Sequence, residues 1–163
     1  IEIEIVEDGD EILDTGGGIY NMIKFSPENE EHFLIFNPDT VWDQSYIKTI
    51  NKMIQFYFLN QNNNILLVAD KKLSFDQNLK GDFVLNKNIL TKKNENHYIY
   101  TGCQILNKRM INDGNFNMSA YNFSISKIWN NLMESQNLFG FESKSNFKHV
   151  TNLDIYKKLL KNN

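Results

Sequence analysis

Two short, unbroken apolar runs constrain this chain more than any other feature. Phe33-Leu34-Ile35-Phe36 and Ile65-Leu66-Leu67-Val68 have no polar partner on alternate positions, the pattern of strands buried on both faces rather than one. Between them Ile47, Ile50, Ile54 and Phe58 recur at helical spacing behind Asp43, a good N-cap. Strand, helix and strand in this order are the ingredients of a mostly parallel α/β sheet with helices on both faces.

The rest of the chain fits the same class. Ile1, Ile3 and Ile5 alternate with Glu2 and Glu4, as in a half-exposed strand. A polar turn at Asp8-Gly9-Asp10 leads to Asp14-Thr15-Gly16-Gly17-Gly18, and Ile19, Met22 and Ile23 then predict a short helix closed by Ser26-Pro27. Further strands are expected at 82–85, 98–106, 139–141 and 147–150, and helices at 126–133 and 153–160. With 163 residues and no long linker, residues 1–163 read as a single domain.

The formal net charge of -3 provides no basic face for nucleic acid or an anionic membrane. No stretch is long enough to span a bilayer. The single cysteine, Cys103, excludes a disulfide framework and points to a reduced, cytoplasmic setting; its apolar neighbours read as a buried strand.

Two places carry potential chemistry. The glycine run stands before a helix, where bare backbone can approach a nucleotide and free N–H groups favour anions, with the Thr15 hydroxyl beside them. Asp39 lies just past the carboxyl end of a buried strand, the position at which open α/β sheets bind ligands. Pro38 restrains the backbone there, and a lone aspartate completed by substrate phosphates is a workable Mg²⁺ ligand. Each also has a plain structural reading, as a tight connection and as a turn residue.

Taken in order, Asp14-Thr15-Gly16-Gly17-Gly18-Ile19, Phe33 to Asp39, Gly81-Asp82-Phe83 and Tyr100-Thr101-Gly102 resemble the successive blocks of sugar-1-phosphate nucleotidyltransferases. The nearest branch is that of N-acetylmuramate alpha-1-phosphate uridylyltransferases and mannose-1-phosphate guanylyltransferases. The resemblance implies a Rossmann-like, three-layer GT-A-like sheet and transfer of a nucleoside monophosphate from UTP or GTP to a sugar-1-phosphate. By the same resemblance, Asp39 is the catalytic Mg²⁺ ligand, with Mn²⁺ as an alternative ion. Thr15, Gly16 and Gly17 line the nucleotide, and Gly81, Asp82 and Gly102 lie on the sugar side.

Two departures accompany it. The family opens with a strand and a glycine-rich, arginine-bearing phosphate loop that has no match here, so a sheet without its first strand is expected. Activity would then depend on that segment, carried by a separate amino-terminal polypeptide or by sequence preceding Ile1. His149 stands where the family has a second metal-binding aspartate, and Thr151-Asn152-Leu153 replaces Gly-Thr-Pro. Two further readings stay open: a non-catalytic remnant that binds a nucleotide or a protein partner, and a glycosyltransferase using Asp39 as its metal ligand.

Overall fold

The computed structural model describes residues 3–62, 64–112 and 122–161. Its main sheet contains β1 (His32–Phe36), β2 (Asn64–Asp70), β5 (Tyr98–Asn107) and β6 (Gly140–Ser143), ordered β1-β5-β2-β6. β1, β2 and β6 share one direction, as the apolar runs suggested. The exception sits in the middle: β5 runs against both β1 and β2, and only β2 and β6 pair in parallel. The sheet is therefore mixed, because the partner of each apolar run is the ten-residue β5 rather than the other run. β3 (Val84–Asn86) and β4 (Ile89–Thr91) form a separate hairpin. Lys87 and Asn88, both at positive φ, make its two-residue turn.

Alternate residues of β2 feed two cores, which makes the fold three-layered. Leu66 and Val68 meet Ile19 and Ile23 of helix α1 (Asp14–Phe25) and Ile128 and Leu132 of α4 (Ser126–Glu134). Ile65 and Leu67 meet Tyr46, Met53 and Tyr57 of α2 (Ser45–Leu59) on the opposite face. Short α3 (Arg109–Asn112) follows β5, and α5 (Leu153–Lys161) closes the chain, burying Ile155 and Leu159. Among the described residues no helix is long and apolar enough to cross a membrane.

Four expectations need correcting. The described part of the alternating segment forms no strand, and Ile3 and Ile5 are 82% and 88% exposed; Ile1 lies outside the described residues. Alternation specifies a strand only where a sheet offers its face and edge, and no described residue does so here. Second, α2 presents a different face. Ile47 and Phe58 are exposed while Tyr46, Met53 and Tyr57 are buried. The tyrosines can be buried because each hydroxyl has a partner, Asn146 O at 2.9 Å and His32 Nδ1 at 2.9 Å. Third, Asp43 does cap this helix through Ser45 N at 2.8 Å, but two residues ahead of it. Fourth, residues 147–150 form no strand. They make isolated bridges, Ser74 to Phe147 and Thr40 to His149.

One edge of the sheet is open. Asn37 N donates to Gly102 O in register with the β1–β5 ladder, so the backbone groups of Leu34 and Phe36 point away from β5. Both side chains are exposed, and no described strand pairs with this side.

Cys103 is fully buried in the α2-side core. Burial pushes its thiol up to about 12, so almost none is thiolate at neutral pH. Native protein at pH 8 is expected to resist iodoacetamide, with one equivalent of label entering only after denaturation. Rapid native labelling would contradict the assigned packing.

Candidate active site

Asp39 is held by its backbone. After β1, Asn37 N bonds Gly102 O at 2.7 Å, and Trp42 Nε1 donates to Asn37 O at 3.1 Å. Thr40 Oγ1 donates to Thr101 O at 2.7 Å, and Val150 N donates to Asp39 O at 2.8 Å. Pinned on both sides, the turn leaves the Asp39 carboxylate free to face a cleft, with the side chain 49% exposed.

β5 bulges to make room for this turn. Its register with β2 shifts between Leu66 and Val68, and Gly102 there has φ +87°. A Cβ on Gly102 would lie 2.9 Å from Asn37 Cβ and 3.1 Å from Thr40 Oγ1. Glycine is thus required twice, for its left-handed backbone and for the close approach. Thr101 Oγ1 donates to Leu67 O at 2.9 Å, which satisfies a carbonyl beside the bulge.

The cleft beyond Asp39 measures about 430 Å³ and joins four of the sequence candidates: Asp39, Asp82, Gly102 and His149. His149 Nδ1 stands 3.7 Å from Asp39 Oδ1, with its ring stacked on Phe147. That nitrogen is buried and has no hydrogen-bond partner. A separation of 3.7 Å is too long for a hydrogen bond, so neither group satisfies the other. The pair therefore fits a divalent ion completed by substrate oxygens. A carboxylate–imidazole pair suits Mn²⁺ better than Mg²⁺. No group of three or more His, Cys, Asp or Glu able to hold a metal occurs among the described residues.

Asp82 accepts from Tyr100 N at 2.9 Å. Although the residue is exposed overall, desolvation against the cleft wall raises its carboxyl pKa, opposed by that hydrogen bond and by Lys92 and His149. Gly81 does not line the cleft. A Cβ there would lie 2.3 Å from Asn96 O and 2.7 Å from His97 N, so its role in the structure is to let two backbones touch. Pattern reading did not single out Lys80, Lys92 or Trp129, which also line the cleft, as does Tyr100 of the Tyr100-Thr101-Gly102 block. They come from separate elements with no spacing to link them, and Trp129 reads in sequence as an ordinary core position of a helix.

Thr15, Gly16 and Gly17 lie in the first turn of α1, not in a loop. Phe123 O accepts from Gly16 N at 2.8 Å and from Gly17 N at 3.1 Å, and Thr15 Oγ1 accepts from Ile125 N at 3.1 Å. The N–H groups expected to be free at this helix entry are thus engaged within the chain. Thr15 and Gly18 still line a second groove of about 590 Å³, which meets the first at Asn37. Asp8, Asp10, Glu11 and Asp14 line that groove without any lysine or arginine.

No protein-family model matches the chain, and no curated protein matches it in sequence. Solved structures do match it in fold. HddC from Yersinia pseudotuberculosis, alone and complexed with GMP-PN, gives a TM-score of 0.66 at 20% identity over 94% of this chain and 64% of its own. The inositol-1-phosphate CTP transferase from T. maritima gives 0.63 at 15% identity, over 91% and 62%. The chain thus has a nucleotidyltransferase-like fold and spans less than two thirds of the length of these neighbours.

Proposed function

We propose that the cleft is the sugar-phosphate side of a nucleotidyl-transfer site and that Asp39 is its metal-binding catalytic residue. The observation carrying this reading is the convergence of Asp39 and the unpartnered His149 Nδ1 at the end of β1, beside Gly102 and Asp82. In the reaction an oxygen of a sugar-1-phosphate attacks the α-phosphorus of UTP or GTP in line. The new P–O bond forms as the bond to the β-phosphate breaks and pyrophosphate leaves. Such a transfer needs positioning and charge neutralisation rather than a covalent enzyme intermediate. Asp39 and His149 would hold Mg²⁺ or Mn²⁺, whose charge offsets that developing on the phosphoryl oxygens. Thr15 and Gly18, which line the second groove, would form the nucleotide-side wall, while the buried Gly16 and Gly17 would back it against Phe123.

The acidic groove gives a reason to expect a second contributor. Four carboxylates and no cation face the space next to Thr15, and a triphosphate would be repelled there. The positive charge it requires is proposed to come from a segment outside the described residues, of this chain or another, seated along the open edge of β1.

The metal assignment has its own test. Wild type is expected to bind Mn²⁺ more tightly than Mg²⁺, and His149→Asp is expected to reverse that order, read by calorimetry and by the electron paramagnetic resonance of Mn²⁺. An unchanged order in the variant would remove His149 from the site. Product analysis separates the alternatives: a glycosyltransferase would consume a nucleotide sugar without releasing pyrophosphate, and a binding remnant would bind nucleotide without turnover.

A further inference from the structure

Part of the wall of the cleft that holds Asp39 and His149 is aromatic. Trp129 of α4 lines it, with Tyr100 in edge contact at 4.8 Å between ring centroids and Phe83 at 6.1 Å. The indole N–H of Trp129 is already committed, donating at 3.2 Å to Oε1 of the buried Gln104. That bond fixes the plane of the ring and leaves Trp129 its apolar surface, rather than its donor, to present to a ligand. Asp82 lines the same cleft, one carboxylate oxygen held by Tyr100 N. Its partly desolvated carboxyl is a strong acceptor for a hydroxyl group. Lys80 and Lys92 are the cations lining the cleft. A fixed aromatic surface, a carboxylate acceptor and two cations in one cleft suit a ring with an apolar face, hydroxyl groups at its edge and a phosphate.

We propose that Trp129 is the platform on which the sugar ring of the substrate lies, with Asp82 accepting one of its hydroxyl groups. This inference rests on the sugar-phosphate reading above and adds a specificity-determining residue to it. The substrate class is a pyranose 1-phosphate whose ring, and not its phosphate alone, supplies part of the affinity.

The test uses the full chain in Mn²⁺ buffer and three probes: α-D-mannose 1-phosphate, N-acetylmuramate α-1-phosphate and inorganic phosphate as a ligand without a ring. Affinity is read by calorimetry and ring contact by tryptophan emission, the chain having two tryptophans, with Trp129→Phe identifying the signal that belongs to Trp129. At least one sugar phosphate is expected to shift Trp129 emission and to bind more tightly than phosphate. Trp129→Ala should weaken that sugar phosphate about tenfold and leave phosphate unchanged. Trp129→Phe, which keeps an aromatic ring against Tyr100 and Phe83, should lose less. Asp82→Asn should also weaken the sugar phosphate and spare phosphate. Tight sugar-phosphate binding that leaves Trp129 emission unmoved, or that keeps full affinity in the folded Trp129→Ala protein, would overturn the platform while leaving the sugar-phosphate reading standing. Equal affinity for phosphate and both sugar phosphates would overturn it too, and absence of any binding would remove both.

Discussion

Asp39→Asn is expected to lower metal-dependent pyrophosphate release at least about a hundredfold, the scale on which one electrostatic catalytic contact is lost, while leaving the thermal midpoint where it was. The two halves of this expectation come from different parts of the same residue. The structural contribution of Asp39 is made by its backbone, whose carbonyl accepts from Val150 N at 2.8 Å. Its carboxylate is half exposed and stands 3.7 Å from His149. Asparagine keeps the volume and the backbone but removes the negative charge that would hold a divalent cation. Unchanged turnover would take Asp39 out of the mechanism. Loss of fold together with activity would assign it a structural role instead. The measurement is therefore paired, with turnover and a melting curve from the same preparation.

Gly81→Ala should give the opposite result, a large loss of stability. All three nearest neighbours of the added Cβ are backbone atoms: Asn96 O at 2.3 Å, Asn96 C at 2.4 Å and His97 N at 2.7 Å. None can rotate away as the end of a side chain could. The two segments are also tied together beside the glycine, by Asp82 N to Tyr98 O at 2.7 Å, His97 N to Phe83 O at 3.0 Å and Tyr98 N to Phe83 O at 2.9 Å. Pushing them apart strains these bonds and the packing of the fully buried Phe83. A cost of about 3 kcal/mol is expected, the upper part of the range for overpacking, or a drop in thermal midpoint of about 6–12 °C for a chain of this size. Gly9→Ala is the control. Its Cβ would meet nothing within 4 Å, but φ is +83°, so only the left-handed backbone term of about 1 kcal/mol applies. Equal effects at the two positions would contradict the close approach assigned to Gly81.

Much of this architecture is legible in the residues because it depends on local pattern. Phe33 to Phe36 and Ile65 to Val68 are strands and the segments at 126 and 153 are helices, but only Ile65 to Val68 are buried on both faces; Leu34 and Phe36 are exposed because β1 is an edge strand. Asp39 was placed correctly at the end of β1 by the same logic, an apolar run stopped by Asn37-Pro38. The failures are those of partnership. Nothing in β5 announces that it will separate β1 from β2, because strand order is decided by which faces and edges meet in three dimensions. Ile3 and Ile5 alternate as in a strand but find no described sheet. In α2 two apolar stripes compete, and the phase is decided by whether Tyr46 and Tyr57 find hydrogen-bond partners, which lie on other elements. Gly16 and Gly17 look like a free helix entry until Phe123, far along the chain, takes their N–H groups.

The site divides along the same line. Asp39, Asp82 and His149, from three separate loops, meet Gly102 of β5 in one cleft, and each lies in or beside a short stretch that stands out in the sequence. Trp129 and Lys92 belong to no such motif. A tryptophan at a helical core spacing and a lysine after a hairpin strand are ordinary in sequence, and only the fold makes them walls of the same cleft.

The account's central claim is that this cleft transfers a nucleotide to a sugar phosphate, and ³¹P NMR tests it most directly. UTP or GTP is mixed with α-D-mannose 1-phosphate or N-acetylmuramate α-1-phosphate and Mn²⁺, with this chain alone and with the chain co-expressed beside the product of its upstream DNA. The account predicts pyrophosphate and nucleotide-sugar signals that require the metal, vanish with Asp39→Asn, and are strongest in the co-expressed sample. Triphosphate left intact in both samples, with the proteins shown to be folded, would contradict it.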